Sequence, residues 1–443
     1  MTNDRYIAAI EISSSKIIGA VGRTHQSGRV DVLAVESERT EECVALGMIQ
    51  NLEEAAMRIR RVIDKLEKKP EIAPRKIAGM YIGLSGRSLR SITADAKIHL
   101  PEDTEITDEI LDRLRDKALG SLTDNSLDVI DAVPRTFKVG NIETLSPKGT
   151  IGQDISATYD LIVCRPEMRR NINRTLPEKL GIRNEGFIVT AMSTGHLLLT
   201  PEEKRLGCML VDLGAETTTV SIYKFGHLQF FATIPLGGRN ITRDLTSLNM
   251  LEERAEDIKR TSGNAIPSES AASINLNGLK LSDVSNIIVA RAEEIVTNVF
   301  ETINHAGLSQ NDLPGGLVCI GGASKLNGIL ELLSNKSRLP VRRGTLPAFI
   351  RLEDPKASST DCIEVATILY DGASLNDAEC LEAPQREGIP PTGTPNQEET
   401  PGDSGETPRT DSGAKPSQSK FWNKIKKGIA GYFSAEEDET DLL

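Results

Sequence analysis

Hydrophobic and polar positions along the chain fall into two blocks built to one plan. Residues 6–35 read as a strand (YIAAIEI), a turn of three serines, a strand (KIIGAVG), a turn, and a strand (VDVLAVE). Residues 209–234 repeat this as MLVDL, GAET, TTVSIY, a turn at Phe225–His227, and LQFFATI. In each copy an apolar strand ends at an acidic residue, Glu11 or Asp212, and a loop of small and hydroxyl residues follows. Apolar stripes at helical spacing then predict helices at Leu52–Lys68 and Asp283–His305. Two blocks of one design predict an α/β protein with two similar lobes facing each other across a cleft.

A different pattern closes the chain. After a Pro/Gly/Ser/Thr-rich tract comes SKFWNKIKKGIAGYFS, residues 419–434. On a helix, Phe421, Trp422, Ile425, Ile429, Tyr432 and Phe433 fall within one arc of about 120°. Lys420, Lys424 and Lys427 project from the opposite side, and Lys426 sits at the edge of the arc. This is the pattern of a helix lying flat in a membrane surface with its cations toward lipid phosphates. Docking on the globular body or on a partner protein is the alternative. At about 1.5 Å per residue the segment is too short to cross a bilayer.

Composition narrows the field. The 443 residues leave room for about three domains. A net charge of −12 argues against general nucleic-acid binding and makes the basic tail stand out. Six cysteines, scattered with no CxxC, read as buried thiols in a reducing compartment. The five histidines form no metal-ligand spacing. The opening MTNDRYIAAIEI has no basic segment followed by a long apolar one, and no stretch approaches a spanning length. A cytosolic body that touches membrane through its tail is the expectation.

The turns carry phosphate chemistry. Small residues let main-chain N–H groups approach phosphate oxygens, and hydroxyls add donors. Ser13, Ser14, Ser15 and Lys16 are expected to hold one side of a polyphosphate, and Gly214, Ala215, Glu216, Thr217 and Thr218 the other. Glu11 and Asp212 are placed to hold the hydration shell of Mg²⁺. Either loop alone also reads as a plain turn. Two further segments add weight. In LVCIGGASKLNGILELL (317–333) a buried strand meets a Gly321–Gly322 turn and then a helix, so a flat base or sugar can press on the main chain near Ala323. In AEDIKRTSGNA (255–265) a short helix offers Glu256 to ribose hydroxyls and the stem of Lys259 to the base. An exposed charged helix face is the competing reading of that pair.

With these pieces in order, the chain resembles the actin/Hsp70 ATPase superfamily and, within it, the FtsA family of bacterial cell-division proteins. The resemblance covers nearly the whole chain. It is carried by YIGLSGRSLRS (81–91), EITDEILDRLRDKAL (105–119), the run from Val129 to Val163, IPLGGRNITRDL (234–245) and the basic tail. It implies an actin-like two-lobed nucleotide-binding fold with an inserted extra subdomain, a disordered linker and a C-terminal amphipathic helix. The implied division is 1–84 with 162–192 for the first lobe and 85–161 for a self-associating insert. It continues with 193–228 and 301–375 for the second lobe and 229–300 for a small subdomain over the nucleotide. Residues 376–418 would be linker, 419–434 the membrane helix and 435–443 an acidic end.

The implied cofactors are ATP and Mg²⁺. The implied partners are the C-terminal peptide of the tubulin-like protein FtsZ, further copies in a filament, anionic lipids and other division proteins, at the septum on the cytoplasmic side of the membrane. No motif fixes the FtsZ contact; Arg239, Arg243, Lys259, Arg260 and Arg291 are candidates by charge alone. The chain departs from the family pattern at Ser13, Ala215 and Glu216, where glycines are usual. The added side chains crowd the route to the phosphates, and Glu216 brings negative charge near a triphosphate unless it faces Mg²⁺ or solvent. No general base stands beside either loop, so a nucleotide-gated adaptor is expected in preference to a rapid ATPase. A pilus-type actin-like adaptor and a small-molecule kinase of the same superfold are the alternatives. One tail should bind lipid reversibly, and many tails on a filament should bind durably through effective concentration.

Overall fold

A computed structural model describes residues 5–267, 275–276, 279–355 and 357–383. Two sheets share one five-strand plan. In the first, Arg5–Ile12, Lys16–Thr24 and Val30–Arg39 form an antiparallel meander. Gly79–Leu84 and Arg183–Val189 then extend it in parallel beside Arg5–Ile12. In the second, Cys208–Leu213, Thr218–Lys224 and His227–Ile234 form the meander. Leu317–Ile320 and Val341–Arg343 extend that one in parallel. The duplication therefore reaches further than the two hairpin blocks show. The central strands read as unbroken apolar runs because both faces are covered, as expected for strands flanked by helices.

The helix Leu52–Glu67 starts where Asn51 accepts hydrogen bonds from the Glu53 and Glu54 amides, at 3.1 Å each. It buries Ile59, Val62, Ile63 and Leu66. The long helix Leu281–His305 puts Val284, Ile288, Ile295, Val296 and Val299 into the core of the second lobe. All six cysteines are free and buried.

Between the lobes' first strands the chain makes an excursion. Arg90–Glu105, Asp128–Val139 and Ile151–Cys164 form an antiparallel sheet with the short strand Ile142–Thr144 at its outer edge. The helix Asp108–Leu119 covers it with Ile110, Leu111, Leu114 and Ala118. Although this unit interrupts the first lobe in sequence, it continues the sheet of the second through one rung, Arg90 opposite Ala232. Ser91 Oγ accepts from the Phe231 amide at 3.0 Å. Arg135 donates to the Gln229 carbonyl at 2.6 Å while gripping the buried Asp160 carboxylate.

Several expected boundaries move. Ile350–Leu352 pairs with Val30–Val32 in the first sheet, and the helix Ile363–Leu375 packs in the first lobe's core. The chain thus leaves the second lobe near residue 350, not 375. Leu381–Glu382 pairs with Lys76–Ile77, so the first lobe holds the chain beyond the expected linker start at 376. His227–Ile234 belongs to the large sheet, so the segment expected over the nucleotide begins after it, and its helices share the second lobe's core. An apolar stripe tells that a helix is covered but not by which sheet, which is why these assignments shifted.

Candidate nucleotide cleft

The two hairpin turns meet at the cleft between the lobes. In the first, Ser13 Oγ donates to the Lys16 carbonyl at 2.9 Å, closing the turn. Buried Ser14 accepts from the Gly47 amide at 2.9 Å, Ser15 is exposed, and Lys16 Nζ donates to the Asp361 carbonyl at 2.7 Å. In the second, the Gly214 amide donates to the Thr217 carbonyl at 2.9 Å. Thr218 is fully buried and gives its hydroxyl to the Leu236 carbonyl at 2.8 Å, so that hydroxyl is turned away from any ligand.

The helix Gly238–Leu245 abuts this second hairpin. Its Gly238 and Arg239 amides donate to the Gly214 and Ala215 carbonyls at 3.0 and 2.7 Å. Its first free N–H groups are therefore taken by the loop. Lys259 Nζ reaches the same corner, donating to the Gly238 carbonyl at 3.0 Å, Thr242 Oγ1 at 2.8 Å and Glu256 Oε2 at 2.6 Å. Burial lowers the Lys259 pKa against the opposing pull of Glu256. The expected pair is thus assembled, with the lysine head held by its neighbours.

Opposite, Gly321 ends the strand Leu317–Ile320 at φ 85°. A Cβ there would lie 2.3 Å from Asp212 Oδ1, so glycine alone lets this turn sit against the acid. Around Gly322 there is open space. A 3₁₀ turn, Gly322–Lys325, carries Ala323 toward Gly238, and the helix follows only at Ile329.

Glu11 and Asp212 lie at the strand ends as expected, and they share a third partner, Glu364, at the start of Ile363–Leu375. Burial raises Glu11, and the charges of Glu364 and Asp212 raise it further against Lys16. Asp212 is pushed up to about 8 by burial and by Glu364, with Lys16 opposing. Burial likewise raises Glu364. Among the described residues no three His, Cys, Asp or Glu side chains converge closely enough to ligate a metal directly.

Glu216 is the surprise. Its carboxylate is 6% exposed and accepts from the Leu46 amide at 2.7 Å, Arg239 at 2.9 Å and Arg243 at 3.1 Å. Burial alone would raise its pKa, but the Leu46 hydrogen bond and Arg239 outweigh it and the pKa is lowered. The negative charge expected here faces two guanidinium groups, where Mg²⁺ or solvent was the expected escape. Glu364, Leu46 and the cleft role of Arg239 were missed by sequence reasoning. Arg239 stands immediately after Gly237–Gly238, and that adjacency was the available signal. Of the charge candidates for a peptide contact, Arg291 pairs with Asp244 and Glu294, while Arg260 is exposed. The expected linker from residue 384 onward and the expected membrane helix, including Lys420, Phe421, Trp422, Lys424, Ile425, Lys426, Lys427, Ile429, Tyr432 and Phe433, lie outside the described residues.

The family model described as "Cell division protein FtsA" matches residues 209–360, and "SHS2 domain inserted in FTSA" matches 86–163. The cell division protein FtsA of Porphyromonas gingivalis is 30% identical over 356 residues, 78% of this chain and 73% of that protein. This chain belongs to the FtsA family. Another FtsA, from Bacillus subtilis, is 27% identical over 369 residues, covering 80% and 82% of the two chains. Among solved structures, the PilM-PilN type IV pilus biogenesis complex superposes with a TM-score of 0.57 at 17% identity, over 82% of this chain and 97% of that one. That likeness concerns the fold alone. As an FtsA relative, the chain has the actin-like ATPase fold with an SHS2 insertion. No described helix is long and apolar enough to cross a membrane.

Proposed function

We propose that this FtsA relative is an ATP-binding, self-associating adaptor that ties FtsZ filaments to the inner face of the cytoplasmic membrane at the septum. One observation carries the nucleotide part. Two hairpin turns, the Gly237–Gly238 junction, the Lys259–Glu256 pair and the Gly321–Ala323 turn meet at one corner between the lobes, with open space beside Gly322. In this reading ATP would lie with its phosphates between Ser13–Lys16 and Gly214–Thr217, and its base and sugar against Gly322, Ala323, Glu256 and the stem of Lys259. Mg²⁺ would be held through water by Glu11 and Asp212, with Glu364 adding charge, and would neutralise the phosphates. The residues fit the group, because three buried carboxyl groups face only the opposing charges of Lys16 and Lys325, and open space lies beside Gly322.

An open groove of about 500 Å³ on the small subdomain, lined by Arg243, Asp244, Ile287, Ala290, Arg291 and Glu294, suits an extended peptide of mixed charge such as the FtsZ C-terminus. The tail at 419–434 would supply the membrane contact, and the insert a contact with the next copy. Co-sedimentation with anionic liposomes tests the whole reading. FtsZ should pellet only with the full-length chain and lipid, and recovery should rise cooperatively with protein concentration. Pelleting of FtsZ by a chain lacking 419–434 would refute the tether.

A further inference from the structure

We propose that the Leu46 amide, Arg239 and Arg243 form an anion site for the terminal phosphate of a nucleoside triphosphate, which the chain's own Glu216 fills when no nucleotide is bound. The inference rests on the nucleotide reading above and goes beyond it by naming groups outside the two phosphate turns. The Leu46 amide, Arg239 and Arg243 converge on one buried carboxylate at 2.7, 2.9 and 3.1 Å, and the Ser14 hydroxyl donates to it as well. Two guanidinium groups face the Glu216 carboxylate, with the more exposed Glu252 3.9 Å from Arg239 as a second anion. A terminal phosphate carries more charge and three acceptor oxygens, enough to engage all three donors together. Arg243 is more than half exposed and free to follow an incoming anion.

The position is suited to exchange. Glu216 belongs to the second-lobe turn and Leu46 to the first lobe, while Arg239 also donates to the Ser14 carbonyl across the cleft at 3.3 Å. The carboxylate therefore ties the lobes together at the point where phosphates would enter. Leu46 itself is held at φ 49°, in a turn whose Gly47 has no room for a Cβ against Gly86. Its carbonyl accepts from the Arg87 amide at 3.0 Å, at the entry to the insert. Swapping carboxylate for phosphate changes one end of that turn while Arg87 holds the other. Because the site reads the terminal group, it separates tri- from diphosphates.

The test uses the full-length chain as wild type, Glu216→Ala, Glu216→Gln and Arg239→Gln, titrated with fluorescent ATP and ADP in Mg²⁺. Amide hydrogen exchange at Leu46 is followed with and without tripolyphosphate. Removing the competing carboxylate should tighten ATP at least about tenfold and ADP far less, while Arg239→Gln should weaken ATP selectively. In Glu216→Ala the Leu46 amide should lose protection and regain it with tripolyphosphate. Glu216→Gln keeps the shape should the alanine variant fold poorly. If wild type binds ATP and the Glu216 variants bind it no tighter, with Leu46 indifferent to tripolyphosphate, the exchange is wrong and the nucleotide reading stands. Protection by tripolyphosphate without ATP binding by any variant would leave an anion site and remove the nucleotide. Neither response would remove both.

Discussion

Adjacent glycines at the cleft should respond in opposite ways to the same substitution. At Gly321 an added Cβ would stand 2.3 Å from Asp212 Oδ1 and 2.5 Å from the Leu213 carbonyl, at a φ of 85°. The left-handed backbone costs about 1–2 kcal/mol for an alanine, and displacing packed atoms adds about 1–3 kcal/mol. Gly321→Ala should therefore lose about 2–5 kcal/mol of stability. At Gly322 nothing lies within 4 Å of the added carbon, and its φ is not in the left-handed region. There the alanine should stabilise the unliganded protein by about 0.4–1 kcal/mol through the unfolded chain. If base and sugar press on this main chain, the methyl occupies their space and ATP affinity falls by about tenfold or more, roughly 1.4 kcal/mol. Urea unfolding read by far-UV circular dichroism gives the stabilities, and nucleotide titration gives the affinity. A Gly322→Ala protein that is stable and binds ATP like wild type would refute the platform assigned to this turn. A Gly321→Ala protein of wild-type stability would refute the packing argument against Asp212.

Other expectations follow from the charges. Asp212 holds its proton up to about pH 8 in the fold but releases it near 4 when unfolded. Its contribution to stability is thus complete at low pH and lost as pH rises through that window. Melting temperature should fall from pH 6 to 8.5, and Asp212→Asn should flatten the slope. An unchanged slope would exclude Asp212 as its source. Removing Arg135 strands the Asp160 carboxylate, which is 1% exposed, and should cost about 3–5 kcal/mol by the usual penalty for breaking a buried pair. Limited proteolysis should then open the insert first, and uniform loosening would contradict that. Trp422 is the only tryptophan, so its emission should shift to the blue with anionic vesicles and stay unmoved in Phe421→Glu. A shift persisting in that variant would argue against an inserted apolar face.

Much of the cleft was readable along the chain because its parts are local. A strand ending in Glu11 or Asp212, a turn of small residues and a return strand each need only about ten contiguous positions, and the Gly321–Gly322 turn needs fewer. What escaped is what the fold brings from afar. Glu364 joins Glu11 and Asp212 from a helix more than 150 positions away from either in the chain. Leu46 contributes only its amide, which any residue possesses. Glu216 could be recognised as out of pattern, yet its neutralisation by Arg239 and Arg243 depends on how the Gly238–Leu245 helix is aimed. The destination of Ile363–Leu375 was hidden for a related reason, since its polar residues Glu364, Thr367 and Asp371 are themselves buried and mark no solvent face to orient it.

The insert is threaded into one lobe and stitched to the other at Arg90 and Ala232. Any hinge motion between lobes must strain that stitch or swing the insert as an arm. Its outer edge strand lies three inter-strand spacings from the seam, about 14 Å at the usual separation. A relative rotation of roughly 10° would carry that rim by about 2–3 Å, enough to make or miss a strand-to-strand contact with a neighbouring molecule. The cleft and the far rim are, in mechanical terms, two ends of one crank.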